Sequence, residues 1–89
     1  MKKVEIEIEA SVLDRVVDIL DENDLLSQTE LIEEVSTKRN ITKNGIFSTR
    51  NVRNLSVICS TKQKDKLLTR LFPLINMFGG FCISHDILY

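Results

Sequence analysis

Val4-Glu5-Ile6-Glu7-Ile8-Glu9 alternates apolar and acidic residues with a strict period of two. Successive side chains of a strand point to opposite faces, so Val4, Ile6 and Ile8 share one face and the three glutamates share the other. The segment therefore reads as a strand buried on one side. Directly after it the period changes. Leu13, Val16, Val17 and Leu20 recur at helical spacing, with Val12 and Ile19 widening the stripe. Ser11, three residues before Asp14, marks a capping-box-like start, and the polar run Asp21-Glu22-Asn23-Asp24 ends the helix.

Working outward, residues 29–35 fit either a helix or a strand. A strand is favoured because turn signals such as Lys43-Asn44-Gly45 follow and lead into another strand over 54–60, where Leu55, Val57 and Cys59 alternate. Thr61 is placed to cap a second helix that carries Leu67, Leu68, Leu71 and Phe72 inward. Pro73 predicts a kink or an early stop, since proline in a helix interior costs ~3 kcal/mol. Gly79-Gly80 closes this region, and Phe81, Ile83, His85, Ile87 and Tyr89 share one face of a last strand. The order β-α-β-β-α-β is that of an α+β, ferredoxin-like fold, an antiparallel four-stranded sheet with two helices on one face. Glu5, Glu7 and Glu9 then look from the uncovered face toward water or the sheet of another subunit.

The 89 residues suit one domain, 1–89, that buries about 64% of its unfolded surface, a small core of the kind often reinforced by oligomerisation. No apolar run approaches the ~20 residues a membrane span needs. Glutamates stand at the N-terminus where a signal peptide needs an apolar stretch, so a cytoplasmic protein is expected. Cys59 and Cys82 lie in apolar segments and read as small buried hydrophobes. With His85 they lack zinc-site spacing, so no metal is expected. His85 and Asp86 are strand neighbours that point apart, which argues against a catalytic pair.

Net charge is −1, yet its distribution is uneven. Residues 1–35 carry eleven acids and three bases; residues 36–53 carry Lys38, Arg39, Lys43, Arg50 and Arg53 and no acid. An acidic chain with one basic segment suits a local anion site better than a broad nucleic-acid surface. Residues 36–53 read as a long loop between two strands, longer than the ~12–15 residues of ordinary connections. Arg-Asn occurs in it twice, at 39–40 and 50–51. Arginine forks match phosphate oxygens, and Ser, Thr and Asn add neutral donors. A solvated hairpin tip is the plainer reading of the same residues. Gly79-Gly80 lets a backbone or an anion approach closely, or is a simple helix-ending turn.

These features together resemble the PII-like signalling proteins, most closely the SbtB branch that regulates bicarbonate uptake. The resemblance covers nearly the whole chain. It rests on the opening strand, a helix ending Asp21-Glu22, Thr29 opening the second strand, and Ser-x-Arg-Asn-type residues about a long loop. Phe78-Gly79-Gly80-Phe81 resembles the family's aromatic-small-glycine turn, and Ile87-Leu88-Tyr89 its last strand. The resemblance implies a non-enzymatic homotrimer that binds an adenine nucleotide (AMP, cAMP, ADP or ATP) or another anion in clefts between subunits. It implies a partner reached through the loop, such as a membrane bicarbonate transporter, with the protein cytoplasmic and peripheral to the membrane through that transporter. No other cofactor is implied. Lys38, Arg39, Asn40, Arg50, Asn51 and Arg53 would serve the ligand from the loop, and Gly79, Gly80 and Phe81 from the neighbouring subunit. Both Arg-Asn copies stay candidates. One departure is Glu33-Glu34-Val35-Ser36-Thr37, which stands where the family is glycine-rich; each carboxylate close to a phosphate would repel it by about 1 kcal/mol in water.

Two other functions share the topology. A nucleic-acid-binding domain would need aromatic residues on the exposed central strands, where this chain has glutamates, Ser56 and Ile58. An acylphosphatase-type enzyme would need a phosphate-cradling loop after the first strand, where this chain reads Ala10-Ser11.

Overall fold

β1 (Lys2–Glu9) is hydrogen-bonded along both edges in a computed structural model of the chain. The structure describes the backbone of residues 1–41 and 47–87, and the side chains of residues 1–32 and 51–87. The other elements are α1 (Leu13–Glu22), β2 (Thr29–Ile41), β3 (Phe47–Cys59), α2 (Thr61–Phe78) and β4 (Phe81–Asp86). The strands form one antiparallel sheet in the order β2-β3-β1-β4. This is the expected ferredoxin-like arrangement.

The helices cover one face because β1, β3 and both helices turn their apolar stripes to that side, whereas β4 turns Phe81 and Ile83 to the other. Val4, Ile6 and Ile8 of β1 pack with Val16, Ile19 and Leu20 of α1, Leu67 and Leu71 of α2, and Leu55, Val57 and Cys59 of β3. Each is nearly or completely withdrawn from water, and burying an aliphatic side chain of this size stabilises by roughly 1.5–3 kcal/mol.

Several local expectations are corrected. Ser11 does not cap α1; a 3-10 turn (Ala10–Val12) leads into the helix without a side-chain cap. Ser60, not Thr61, caps α2. Its Oγ accepts from the Gln63 N–H at 3.2 Å, and the Gln63 Oε1 accepts from the Ser60 N–H at 2.9 Å. Of the kink or early stop expected at Pro73, the early stop is excluded, since α2 runs on to Phe78. The proline is on the exposed side of the helix, where water can satisfy the freed carbonyl. The stripe Leu67, Leu71, Leu74 and Phe78 meanwhile holds both halves on the core. Phe72 does not point inward; it is 48% exposed, being turned about 100° from buried Leu71. β4 ends at Asp86, short of Tyr89; residues 88–89, with the alternation expected at Tyr89, lie outside the described residues.

The largest correction concerns residues 36–53. They are not a long loop. β2 and β3 pair from Ser36↔Val52 to Ile41↔Phe47, and β1 ends against Val52. Residues 37–41 and 47–51 therefore form a two-stranded ribbon that continues about 17 Å past the sheet at the usual rise per residue. Only 42–46 lie between its strands, and these, with the Lys43-Asn44-Gly45 turn, are outside the described residues. A bulge marks the base: Ile32 pairs with Asn54 and Ser36 with Val52, so residues 33–35 stand against Arg53 alone.

The cap and the core differ in scale. Ser60→Ala should lower stability by about 1 kcal/mol, and Leu71→Ala by about 2–5 kcal/mol. Phe72→Ala should cost clearly less than Leu71→Ala. Urea denaturation midpoints of the three variants give the comparison; a Phe72 effect equal to that of Leu71 would contradict the packing described.

Candidate ligand site at the base of the ribbon

Chain direction gathers one group of features at one end of the sheet. β1 finishes there, α1 begins, α2 ends, β4 begins and the ribbon departs. The Arg15 guanidinium lies over the Phe78 ring, 5.2 Å from its centroid, and ties the start of α1 to the end of α2.

The Gly79-Gly80 turn closes α2 there. The Gly79 N–H donates to the Ile75 carbonyl at 2.8 Å. Both glycines have positive φ, 84° and 115°, a region that glycine enters without strain. A β-carbon at Gly80 would run into the backbone carbonyl oxygen of Glu7. The missing side chain at Gly80 thus lets the turn cross close over β1. Phe81 follows as the register partner of Glu7 and is 43% exposed.

Arg53 lies across β1 from this turn. Its register partner is Ile8, so it shares the helix-covered face at the sheet's end and is half-buried. Asn51 begins the ribbon opposite Thr37; Lys38 partners Arg50, Arg39 partners Thr49, and Asn40 partners Ser48. The two Arg-Asn copies thus stand on opposite strands of one ribbon. The side chains of Lys38, Arg39, Asn40 and Arg50, and of Glu33 and Glu34, lie outside the described residues. Within one subunit Arg53 and the glycine turn flank β1, separated by about two strand spacings, ~10 Å. They share an end of the sheet without converging on a point.

The uncovered sheet face carries features that periodicity only half revealed. Glu7 is 6% exposed, the buried charged residue of the described chain. Beside it runs a depression lined by Glu5, Asn54 and Ser56, with Ile32 at one rim and Phe81 and Ile83 at the other. Ile32 is 44% and Ile83 50% exposed. Alternation assigned the glutamates to this face; their degree of burial depends on strands distant in sequence.

Asp86 and Cys82 of β4 are set by their surroundings. The Lys2 ammonium bonds the Asp86 carboxylate at 2.5 Å, and that hydrogen bond, with the lysine's charge, holds Asp86 below the usual carboxylate range. His85, the register partner of Lys3, is on the opposite face from Asp86. Burial pushes the Cys82 thiol up to about 11 and raises Cys59 as well, with Lys64 opposing in part. The two cysteines partner positions 6 and 2 of β1, too far apart for a disulfide.

Solved structures share this architecture. CPII, a nitrogen regulatory PII-like protein from Thiomonas intermedia bound to ADP, AMP and bicarbonate, superposes with a TM-score of 0.76 at 17% identity, over 97% of this chain and 88% of its own. GlnK from B. subtilis, in complex with ATP, gives 0.70 at 11% identity, over 97% and 80% of the two chains. The PII-like protein CutA from Nostoc, in apo form, gives 0.67 at 14%, over 98% and 81%. The chain therefore has the fold of PII-like proteins; the likeness does not single out the SbtB branch. No protein-family model matches the sequence, and no curated protein matches it.

Gly80→Ala should lower stability by at least about 1–3 kcal/mol, the range for a strained backbone position, and a chemical denaturation curve unchanged from the parent would contradict the contact with Glu7. At pH 8 Cys82 should react with a thiol-specific disulfide reagent far more slowly than a free cysteine peptide, because its thiolate fraction is small.

Proposed function

We propose that this chain is a regulatory protein of PII-like type and not an enzyme. It assembles as a homotrimer, binds an adenine nucleotide or another anion between subunits, and conveys the ligand state to a partner through its ribbon. The observation that carries this reading is the PII-like fold over 97% of the chain, joined to the acid-free run of cations in residues 36–53. CPII and GlnK, which share the fold, bind ADP, AMP and bicarbonate, and ATP, respectively.

In this reading Lys38, Arg39, Asn40, Arg50 and Asn51 approach the phosphates from one ribbon, with Arg53 at its base. Gly79, Gly80 and Phe81 of a neighbouring subunit close the cleft. The separation of Arg53 from the glycine turn within one subunit favours a cleft built from two. The exposed Ile32, Phe81 and Ile83 on the open sheet face support assembly, because covering exposed apolar side chains with a second copy removes them from water. No helix among the described residues is long and apolar enough to cross a membrane. The proposed setting is the cytoplasm, with the ribbon reaching a membrane transporter, of which a bicarbonate transporter is the SbtB-like case.

Calorimetry against AMP, cAMP, ADP and ATP tests the ligand. At least one should bind, and Arg39→Ala or Arg50→Ala should weaken it about tenfold or more, the loss expected for a charge-assisted hydrogen bond. Absence of heat with all four at millimolar concentration would remove the nucleotide from the proposal. Light scattering should return three times the mass of one chain.

A further inference from the structure

We infer that copies of this chain join head to tail across the two edges of the sheet, with Phe72 of one copy seated in an apolar cleft between α1 and β2 of the next. The inference rests on the homotrimer proposed above and names the contact that closes it.

Leu13 and Val17 of α1, Leu31 of β2 and Leu55 of β3 line the cleft, with Leu26 beside them. Leu26 and Leu31 are 41% and 42% exposed. The Thr29 hydroxyl, which lines it too, donates its proton to the Leu25 carbonyl at 2.7 Å. The cleft therefore suits an apolar occupant. Its volume is about 160 Å³. An apolar cavity of about 150 Å³ takes up benzene, so one aromatic side chain fits.

Phe72 is 48% exposed and stands on the other edge. Arg70 turns toward α1, where it bonds Glu22 at 2.7 Å. Phe72 follows two residues later, about 200° around the helix, and so points away from α1. α2 packs against β1 and β4, which leaves Phe72 on the β4 side. Leu68 and Ile75 flank it as partly buried neighbours. β2 and β4 are the outermost strands, so Phe72 and the cleft lie on opposite edges of one subunit. A side chain that cannot reach its own cleft fills that of another copy, and a contact between unlike surfaces closes into a cycle when the rotation allows.

Charge favours the same pairing. α1 carries Asp14, Asp18, Asp21 and Glu22 against Arg15, whereas α2 carries Lys62, Lys64, Lys66 and Arg70 against Asp65. Asp14 and Asp21, one turn before and after Val17, are exposed beside the cleft. Joining the α2 edge to the α1 edge brings opposite charges together. A two-fold contact of like edges sets acid against acid or base against base. Ile32 on β2 and Ile83 on β4 belong to these edge strands, so the contact also gathers the exposed apolar side chains of the open face. It sets the glycine turn, at the β4 edge, near the ribbon at the β2 edge of the next copy, and so bridges the gap between them within one subunit.

Native mass spectrometry of the full chain tests the contact with two one-sided variants. Phe72→Asp spoils the inserted side chain and Leu31→Asp spoils the cleft. Both positions are half-exposed in the subunit, and circular dichroism checks that each variant folds. If Leu31→Asp does not fold, Leu26→Asp in the same cleft replaces it. The parent should be a trimer and each variant alone a monomer. Mixed in equal amounts, the variants should form a species of two chains: the intact cleft of one takes the intact Phe72 of the other, and the remaining surfaces cannot continue the cycle. A trimer of either variant alone, or a mixture of any other mass, overturns the inference and leaves the homotrimer standing. A parent that is not a trimer overturns both.

Discussion

The double pairing of β1 is the constraint on which the architecture depends. A strand that is apolar on one side and acidic on the other, bonded along both edges, must stand inside a sheet with one covered and one uncovered face. Val4, Ile6 and Ile8 then require a lid, and α1 and α2 supply it with stripes of matching width. The two crossovers that bring the helices to that side also set the direction of every strand. Chain direction in turn delivers the glycine turn, the start of α1 and the ribbon to a single end. The candidate site is thus a consequence of topology before it is a matter of any one side chain.

The ribbon begins where β1 runs out. Up to Val52, β3 has a strand on each side; beyond it only β2 remains. Residues 37–41 and 47–51 carry no apolar alternation because a pair of strands projecting from the sheet has no core to face. That is why they read as a loop in sequence. The bulge at 33–35 coincides with the end of β1. A paired arm differs from a loop in what it can do. It presents both Arg-Asn copies on one scaffold in fixed register.

The two sheet faces divide the chemistry. The covered face is packed, with its cysteines turned into weakly acidic, shielded thiols. The open face mixes exposed Ile32, Phe81 and Ile83 with Glu5, Asn54 and Ser56. The PII-like fold, shared with proteins that hold ADP, AMP, bicarbonate and ATP, gives both faces a common purpose in the proposed function: one stabilises the subunit and the other joins subunits.

Local pattern alone was sufficient for the half-buried first strand, the two amphipathic helices, the α+β order and the closing glycines. These follow from periodicity and from the φ freedom of glycine, which operate within a few residues. Tertiary structure decided the rest. Pro73 stays helical because packing on both sides of it outweighs one lost hydrogen bond. Phe72 faces outward because α2 reaches the sheet along Leu67 and Leu71. Residues 36–41 and 47–53 become strands because each supplies the other's hydrogen-bond partners across the chain. Glu7 is buried by neighbours from β3 and β4 that its own segment does not contain. Short-range pattern specifies what a segment is able to form, whereas burial and strand pairing are settled by residues far away along the chain, and those residues position the candidate site.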